Sequence, residues 1–130
     1  MIVLHYVPKT RATRVRWALE EAGVAYELRP VDVVAGANHL PEYRAVHPLG
    51  KVPAIEVDGR PMFESGAICL WIGDRFAEAG LAPATDAADR GAYLQWMFYA
   101  VATLEPEVAE LLVARRHGEA AVTQAVTALE

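Results

Sequence analysis

Residues 50–67 read GKVPAIEVDGRPMFESGA. Residues 52–57 and 60–63 are short strand-like runs, and Asp58-Gly59 between them is the dipeptide that most readily supplies the two positive φ angles of a two-residue hairpin turn. The stretch predicts an antiparallel hairpin, entered through Pro53 and left at Glu64. Ser65 then offers a hydroxyl suited to capping a helix, and Ile68, Ile72 and Phe76 fall on one face of the segment GAICLWIGDRF.

Toward the N-terminus, MIVLHYV is a short apolar run rich in β-branched and aromatic residues that stops at Pro8, as a buried strand would. Val15, Ala18, Leu19 and Ala22 then recur at helical spacing, Arg16 and Glu20 stand four apart on the opposite face, and Gly23 sits where a helix end favours a left-handed residue. AYELRPVDV returns to strand character, so residues 1–33 predict a β-α-β unit with two parallel strands. Residues 34–47 are polar and irregular, with room for a short helix after Pro41. The element order is β-α-β-α-β-β-α over about eighty residues, the α/β class.

Beyond it, residues 79–86 are expected to form a linker: Gly80 ends the helix, Pro83 prevents its continuation and Thr85 caps the next one. Residues 87–130 are expected to be helical. Leu94, Met97, Phe98, Val101, Leu104, Val108 and Leu111 make an apolar face, which Pro106 should bend or break. The closing GEAAVTQAVTALE carries a second apolar face, through Val122, Ala125, Val126 and Leu129, that stops without a cap, as a fragment or an unusual short form would. Such faces call for a partner, and a homodimer is the simplest.

Composition narrows the function. With 130 residues, 54% of them hydrophobic, the chain can build one core but is short for two complete domains. Seventeen acidic against twelve basic residues, with no Lys/Arg cluster, argue against nucleic acid or an anionic membrane as partner. No apolar run approaches the roughly 20 residues that cross a bilayer. Cys69 stands alone, and the first residues lack an export signal, so a reducing cytoplasm is the expected location.

The order of elements, together with LGKVPA and ESGAI, resembles the thioredoxin-like N-terminal domain of the cytosolic glutathione transferases. The resemblance covers residues 1–78 closely and continues more loosely through YLQWMFYAVATLEPEV, which is similar to the start of the family's helical C-terminal domain. It implies that Pro53 follows a cis peptide bond and that the main chain of Val52 pairs with the cysteinyl part of glutathione. It implies that the carboxylate of Glu64 meets the γ-glutamyl ammonium, while the Ser65 hydroxyl and neighbouring helix-start amides hold the γ-glutamyl carboxylate. Lys51 is its candidate for the glycine carboxylate. His39, one position out of register with the family's histidine, is a further candidate.

Catalysis asks for a thiolate. A free thiol titrates near ~8.5, and lowering that by ~2 units, about 2.7 kcal/mol of preference for the anion, makes thiolate dominant at neutral pH. The family places Tyr, Ser or Cys near the end of the first strand or the start of the first helix. Here the matching positions are Lys9, Thr10 and Arg11, of which Thr10 alone carries a hydroxyl; Thr13 and Tyr6 are the alternatives, and either threonine could simply cap the helix. Arg11 and Arg14 would add positive potential beside the sulfur. Tyr93, Trp96 and Tyr99 are the expected lining of the pocket for an electrophilic small molecule, unless they are ordinary core.

Cys69, inside an apolar helix, reads as an inert buried thiol. His5, His39, His47 and His117 lack metal-ligand spacing, and no metal is expected. The resemblance implies a glutathione S-transferase with glutathione as co-substrate. The alternatives are a noncatalytic module for protein association or for holding hydrophobic ligands, and a glutathione-dependent isomerase or dehalogenase.

Overall fold

The computed structural model describes residues 1–118, the side chain of residue 116 excepted. The chain divides into two compact units, Met1–Ala87 and Ala88–Glu130, so residues 79–86 belong with the first unit.

In the first unit, β1 (Ile2–Tyr6), α1 (Ala12–Glu21), β2 (Tyr26–Pro30), α2 (Pro41–Arg44), β3 (Ala54–Val57), β4 (Arg60–Phe63) and α3 (Ser65–Arg75) follow one another. The sheet order is β2-β1-β3-β4. β1 pairs with β2 in parallel and with β3 antiparallel, and β3 pairs antiparallel with β4. Asp58 (φ 50°) and Gly59 (φ 78°) make the hairpin turn with both φ angles positive, as their residue types predict.

Alternation along β1 sends Ile2 and Leu4 to one face, where they join Val15 and Leu19 of α1, Ile55 of β3, and Ile68 and Ile72 of α3 in a single core. Fully burying side chains of this kind contributes about 1.5–3 kcal/mol each, which is what holds both helices to the sheet. On the other face His5 meets Tyr43 of α2 edge to face, with ring centroids 5.4 Å apart. The end of α1 closes as a Schellman motif: Gly23 (φ 64°) donates to the Glu20 carbonyl and Val24 to that of Leu19.

Three expected boundaries move. The N-cap position of α3 is Glu64, not Ser65, and no side chain caps it. Glu64 at φ 72°, ψ 106° swings the chain so that the first helical turn already contains Ser65. α3 ends at Arg75, and Gly80 (φ 68°) terminates a separate 3-10 turn, Ala77–Ala79. Thr85 caps nothing, because it lies within a turn closed by Ala87 N–H to the Ala84 carbonyl, and the next helix starts at Arg90 after Asp89.

The second unit contains α4 (Arg90–Tyr99), a π-helical stretch (Ala100–Leu104) and α5 (Glu105–His117). Pro106 sits in the first turn of α5. Proline lacks an N–H and crowds the carbonyl four residues back, and the wider π turn just before it accommodates both. Leu94, Met97, Val101 and Leu111 of the expected apolar face are half-buried, whereas Phe98, Leu104 and Val108 are exposed. The second apolar face, at Val122, Ala125, Val126 and Leu129, lies outside the described residues.

Candidate functional site

The sheet register brings three segments to one end of the sheet. β3 and β4 are paired up to Ala54 opposite Phe63, so Pro53 and Glu64 lie one step beyond the last pair, and Val52 and Ser65 two. β1 runs antiparallel to β3 with His5 opposite Ala54, which carries the turn between β1 and α1 to the same end.

The first segment precedes β3. Its Val52-Pro53 peptide is cis, Pro53 is buried, and the main chain of Val52 stands outside the β3 ladder. Gly50 turns this segment at φ 61°, where a Cβ would come within 2.5 Å of the Asn38 carbonyl oxygen. The Lys51 side chain is exposed, and its carbonyl accepts a 2.7 Å hydrogen bond from the Tyr43 hydroxyl. Burial pushes that hydroxyl up to about 12, so it stays a neutral donor. His39 is exposed on a 3-10 turn, with its ring beside Gly50.

The second segment links β4 to α3. Glu64 holds a positive φ that a non-glycine residue adopts only at a cost of about 1–3 kcal/mol, and its side chain is exposed. The first helical bond runs from Ile68 N–H to the Glu64 carbonyl at 2.9 Å, leaving the amides of Ser65, Gly66 and Ala67 at an uncapped, partially positive helix end. Ser65 is buried, and its Oγ accepts from Arg14 at 3.4 Å. Arg14, on the side of α1 that packs against α3, thus joins the first helix to the start of α3. No periodicity signals such a contact across 51 residues.

The third segment is the turn into α1. The Thr10 hydroxyl donates to the Val7 carbonyl at 2.7 Å and accepts from Ala12 N–H at 3.2 Å, so its proton is already engaged and it supports the helix start. Thr13 is exposed, and the ring of Tyr6 lies under the Arg16 guanidinium, 5.6 Å from its centroid.

Three of the remaining candidates, Tyr93, Trp96 and Tyr99, are on α4. Trp96 and Tyr99 stack edge to face on α4 with centroids 5.4 Å apart, and the guanidinium of Arg90 sits over Tyr93 at 5.1 Å. His5 is bound to Glu56 at 2.8 Å, and Glu56 is also bound to Arg29 at 2.9 Å. Burial pushes the Cys69 thiol up, with Arg14 partly opposing, which fits an unreactive thiol. Among the described residues, no group of three or more His, Cys, Asp or Glu side chains gathers as metal ligands would, and no helix is long and apolar enough to cross a membrane.

Residues 1–74 match the family model for the glutathione S-transferase N-terminal domain. Glutathione S-transferase 3 of Schizosaccharomyces pombe is 37% identical over 106 residues, which is 82% of this chain and 43% of that protein. The disulfide-bond oxidoreductase YfcG of Escherichia coli is 36% identical over 114 residues, 82% of this chain and 51% of its own. The chain thus spans about half the length of these curated relatives. A glutathione transferase homolog from Sulfitobacter, solved with bound glutathione, superimposes at TM-score 0.76 and 27% identity over 98% of this chain and 62% of that one. Poplar glutathione transferase F1 does so at TM-score 0.83 and 27% identity, over 97% and 63%. The first unit has the thioredoxin-like arrangement of these structures, and the chain belongs to the glutathione S-transferase family.

Proposed function

We propose that this chain binds glutathione at the end of the sheet where Val52, Glu64 and Ser65 converge, and that it activates the thiol for attack on an electrophilic small molecule. The observation that carries the reading is the β3–β4 register, which sets an unladdered main-chain edge at Val52 beside an uncapped helix start at Ser65. An extended tripeptide needs both. Val52 pairs with the cysteinyl main chain as an added strand would. The Glu64 carboxylate takes the γ-glutamyl ammonium, and Ser65 with the amides of Gly66 and Ala67 takes the γ-glutamyl carboxylate, supported by Arg14. Lys51 and His39 stand toward the glycine carboxylate.

Thr10 is the proposed partner of the sulfur. To donate to a thiolate its proton must leave the Val7 carbonyl, an exchange favoured by the greater strength of a hydrogen bond to an anion. In the reaction the thiol loses its proton to solvent, sulfur bonds to the electrophilic carbon, and the leaving group departs with its electron pair.

Calorimetric titration with glutathione tests the grip. Wild type binds, and a Glu64→Ala, Ser65→Ala double variant loses binding; equal affinities would overturn the site. Absorbance of the bound thiolate across pH tests activation, because Thr10→Ala raises the thiol pKa without abolishing binding, and an unchanged pKa would pass the role to Thr13, Tyr6 or a backbone amide.

The similarity to a disulfide-bond oxidoreductase favours a second reading, in which the bound thiolate attacks a disulfide sulfur instead of carbon, forming a mixed disulfide while the original S–S bond breaks and its other sulfur leaves as a thiolate. With Cys69 unsuited to that chemistry, the attacking sulfur would be that of glutathione. Turnover of a disulfide but not of an aryl halide would select this reading. Absence of both activities beside intact glutathione binding would favour a noncatalytic module.

A further inference from the structure

Residues 36–47 leave no periodic signal in the sequence, yet three of their side chains hold three successive main-chain positions. The Leu49 N–H donates to His47 Nδ1 at 3.3 Å. Asn38 Nδ2 donates to the Gly50 carbonyl at 2.8 Å, and the Tyr43 hydroxyl donates to the Lys51 carbonyl at 2.7 Å. The next residue is Val52, whose main chain is the proposed edge for glutathione.

His47 does more than the other two. Its own carbonyl accepts from Gly50 N–H at 2.8 Å, closing the turn that its ring also supports. The ring is buried and lies against Phe63, with centroids 4.7 Å apart and planes tilted by 30°. Phe63 is the last residue of β4, immediately before Glu64. One imidazole therefore touches the segment that ends in Val52 and the strand that ends in Glu64. Accepting at Nδ1 requires that nitrogen to be bare, so the ring is neutral with its proton on Nε2.

We propose that His47 is a positioning residue for glutathione: its Nδ1 holds the Leu49 amide while its ring braces Phe63, setting the Val52 edge at the distance from Glu64 and Ser65 that the tripeptide spans. The proposal rests on the glutathione reading above. His47 does not touch the ligand; it acts through the main chain of 49–52. Asparagine can offer an oxygen to the amide two residues on, whereas leucine fills nearly the same volume with no acceptor.

The test is glutathione affinity by calorimetry for wild type, His47→Asn and His47→Leu, with thermal unfolding of each. Positioning predicts that affinity follows the acceptor: His47→Asn stays within about threefold of wild type and His47→Leu binds about tenfold more weakly, the scale of one lost hydrogen bond. A histidine that only fills space predicts the reverse, since asparagine leaves the larger void, and that order would overturn the proposal. Imidazole nitrogen chemical shifts of wild type at neutral pH give a check that no variant's folding can spoil. A bare Nδ1 supports the bond to Leu49, and a protonated Nδ1 overturns it. If wild type fails to bind glutathione, the functional reading itself falls; if it binds and the two variants match it, only the role of His47 falls.

Discussion

The two halves of the candidate site are held by different means. The Val52 segment is irregular backbone fixed by side chains that reach across from residues 38–47, whereas the Glu64 and Ser65 segment takes its direction chiefly from the backbone, a positive φ between a strand and a helix. The first is distributed over several hydrogen bonds, each worth about 0.5–1.5 kcal/mol net. The second concentrates its cost in one residue. Variants should therefore affect the halves differently, and where they share a support they should fail together.

The shared support is the core, and Ile68 tests it with the largest effect. It lies fully buried in α3, one turn beyond Ser65, against side chains from β1, β3 and α1. Ile68→Ala removes buried methyl groups and leaves a void, at about 2–5 kcal/mol. Chemical denaturation should show that loss, and glutathione affinity should fall with it. A variant as stable as wild type would mean that the core tolerates collapse around the void.

Gly50→Ala strikes the Val52 half alone. The added Cβ would meet the Asn38 carbonyl oxygen at 2.5 Å, a backbone atom that cannot simply swing aside, at a φ of 61° that alanine resists. A cost of about 1–3 kcal/mol is expected, together with weakened glutathione binding. Amide resonances of 65–67 should stay in place while those of 49–52 move. If both groups move together, the halves are mechanically one.

This contrast also marks how far the sequence could be read. The hairpin, the parallel pair and the core residues Val15, Leu19, Ile68 and Ile72 were legible because each follows a period or a turn residue whose φ has few alternatives. Asn38, Tyr43 and His47 were not, because side-chain bonds to main-chain groups follow no period and bridge 2 to 12 residues. Ser65 was read as a cap because serine favours that position, but the strain at Glu64 moved the helix start by one residue, and a strained glutamate has no signature in composition. Thr85 failed for the same kind of reason, since several polar residues before Arg90 compete for one helix start.

Glu64→Gly sharpens the comparison by separating stability from function. Glycine accepts φ 72° without the Cβ penalty, so the fold should gain about 1 kcal/mol. The same substitution deletes the carboxylate proposed to hold the γ-glutamyl ammonium, and a charge-assisted hydrogen bond of about 1.5–3 kcal/mol corresponds to at least a tenfold weaker affinity. A rise in unfolding midpoint beside a fall in affinity is the expected pair of results. A fall in both would show that the positive φ is relaxed by neighbours and that the carboxylate supports the fold.

The smallest expected effect is a pH dependence of stability that runs through His47. Burial holds the His47 imidazole below its ordinary value, opposed by the Glu64 carboxylate and assisted by the Lys51 ammonium. Well above the ordinary histidine value of about 6.5 the ring is neutral in both folded and unfolded chains and contributes no slope. Between that point and the lower folded value, the unfolded chain binds more protons, so stability must fall as pH falls. His47→Asn has no such group, while the other three histidines remain in both proteins and cancel in the difference. Unfolding free energy of wild type minus that of His47→Asn should therefore be flat well above about pH 6.5 and decline as pH falls through that value. Parallel curves through acidic pH would mean that the ring titrates alike folded and unfolded, and that its bond to Leu49 does not depend on the neutral form.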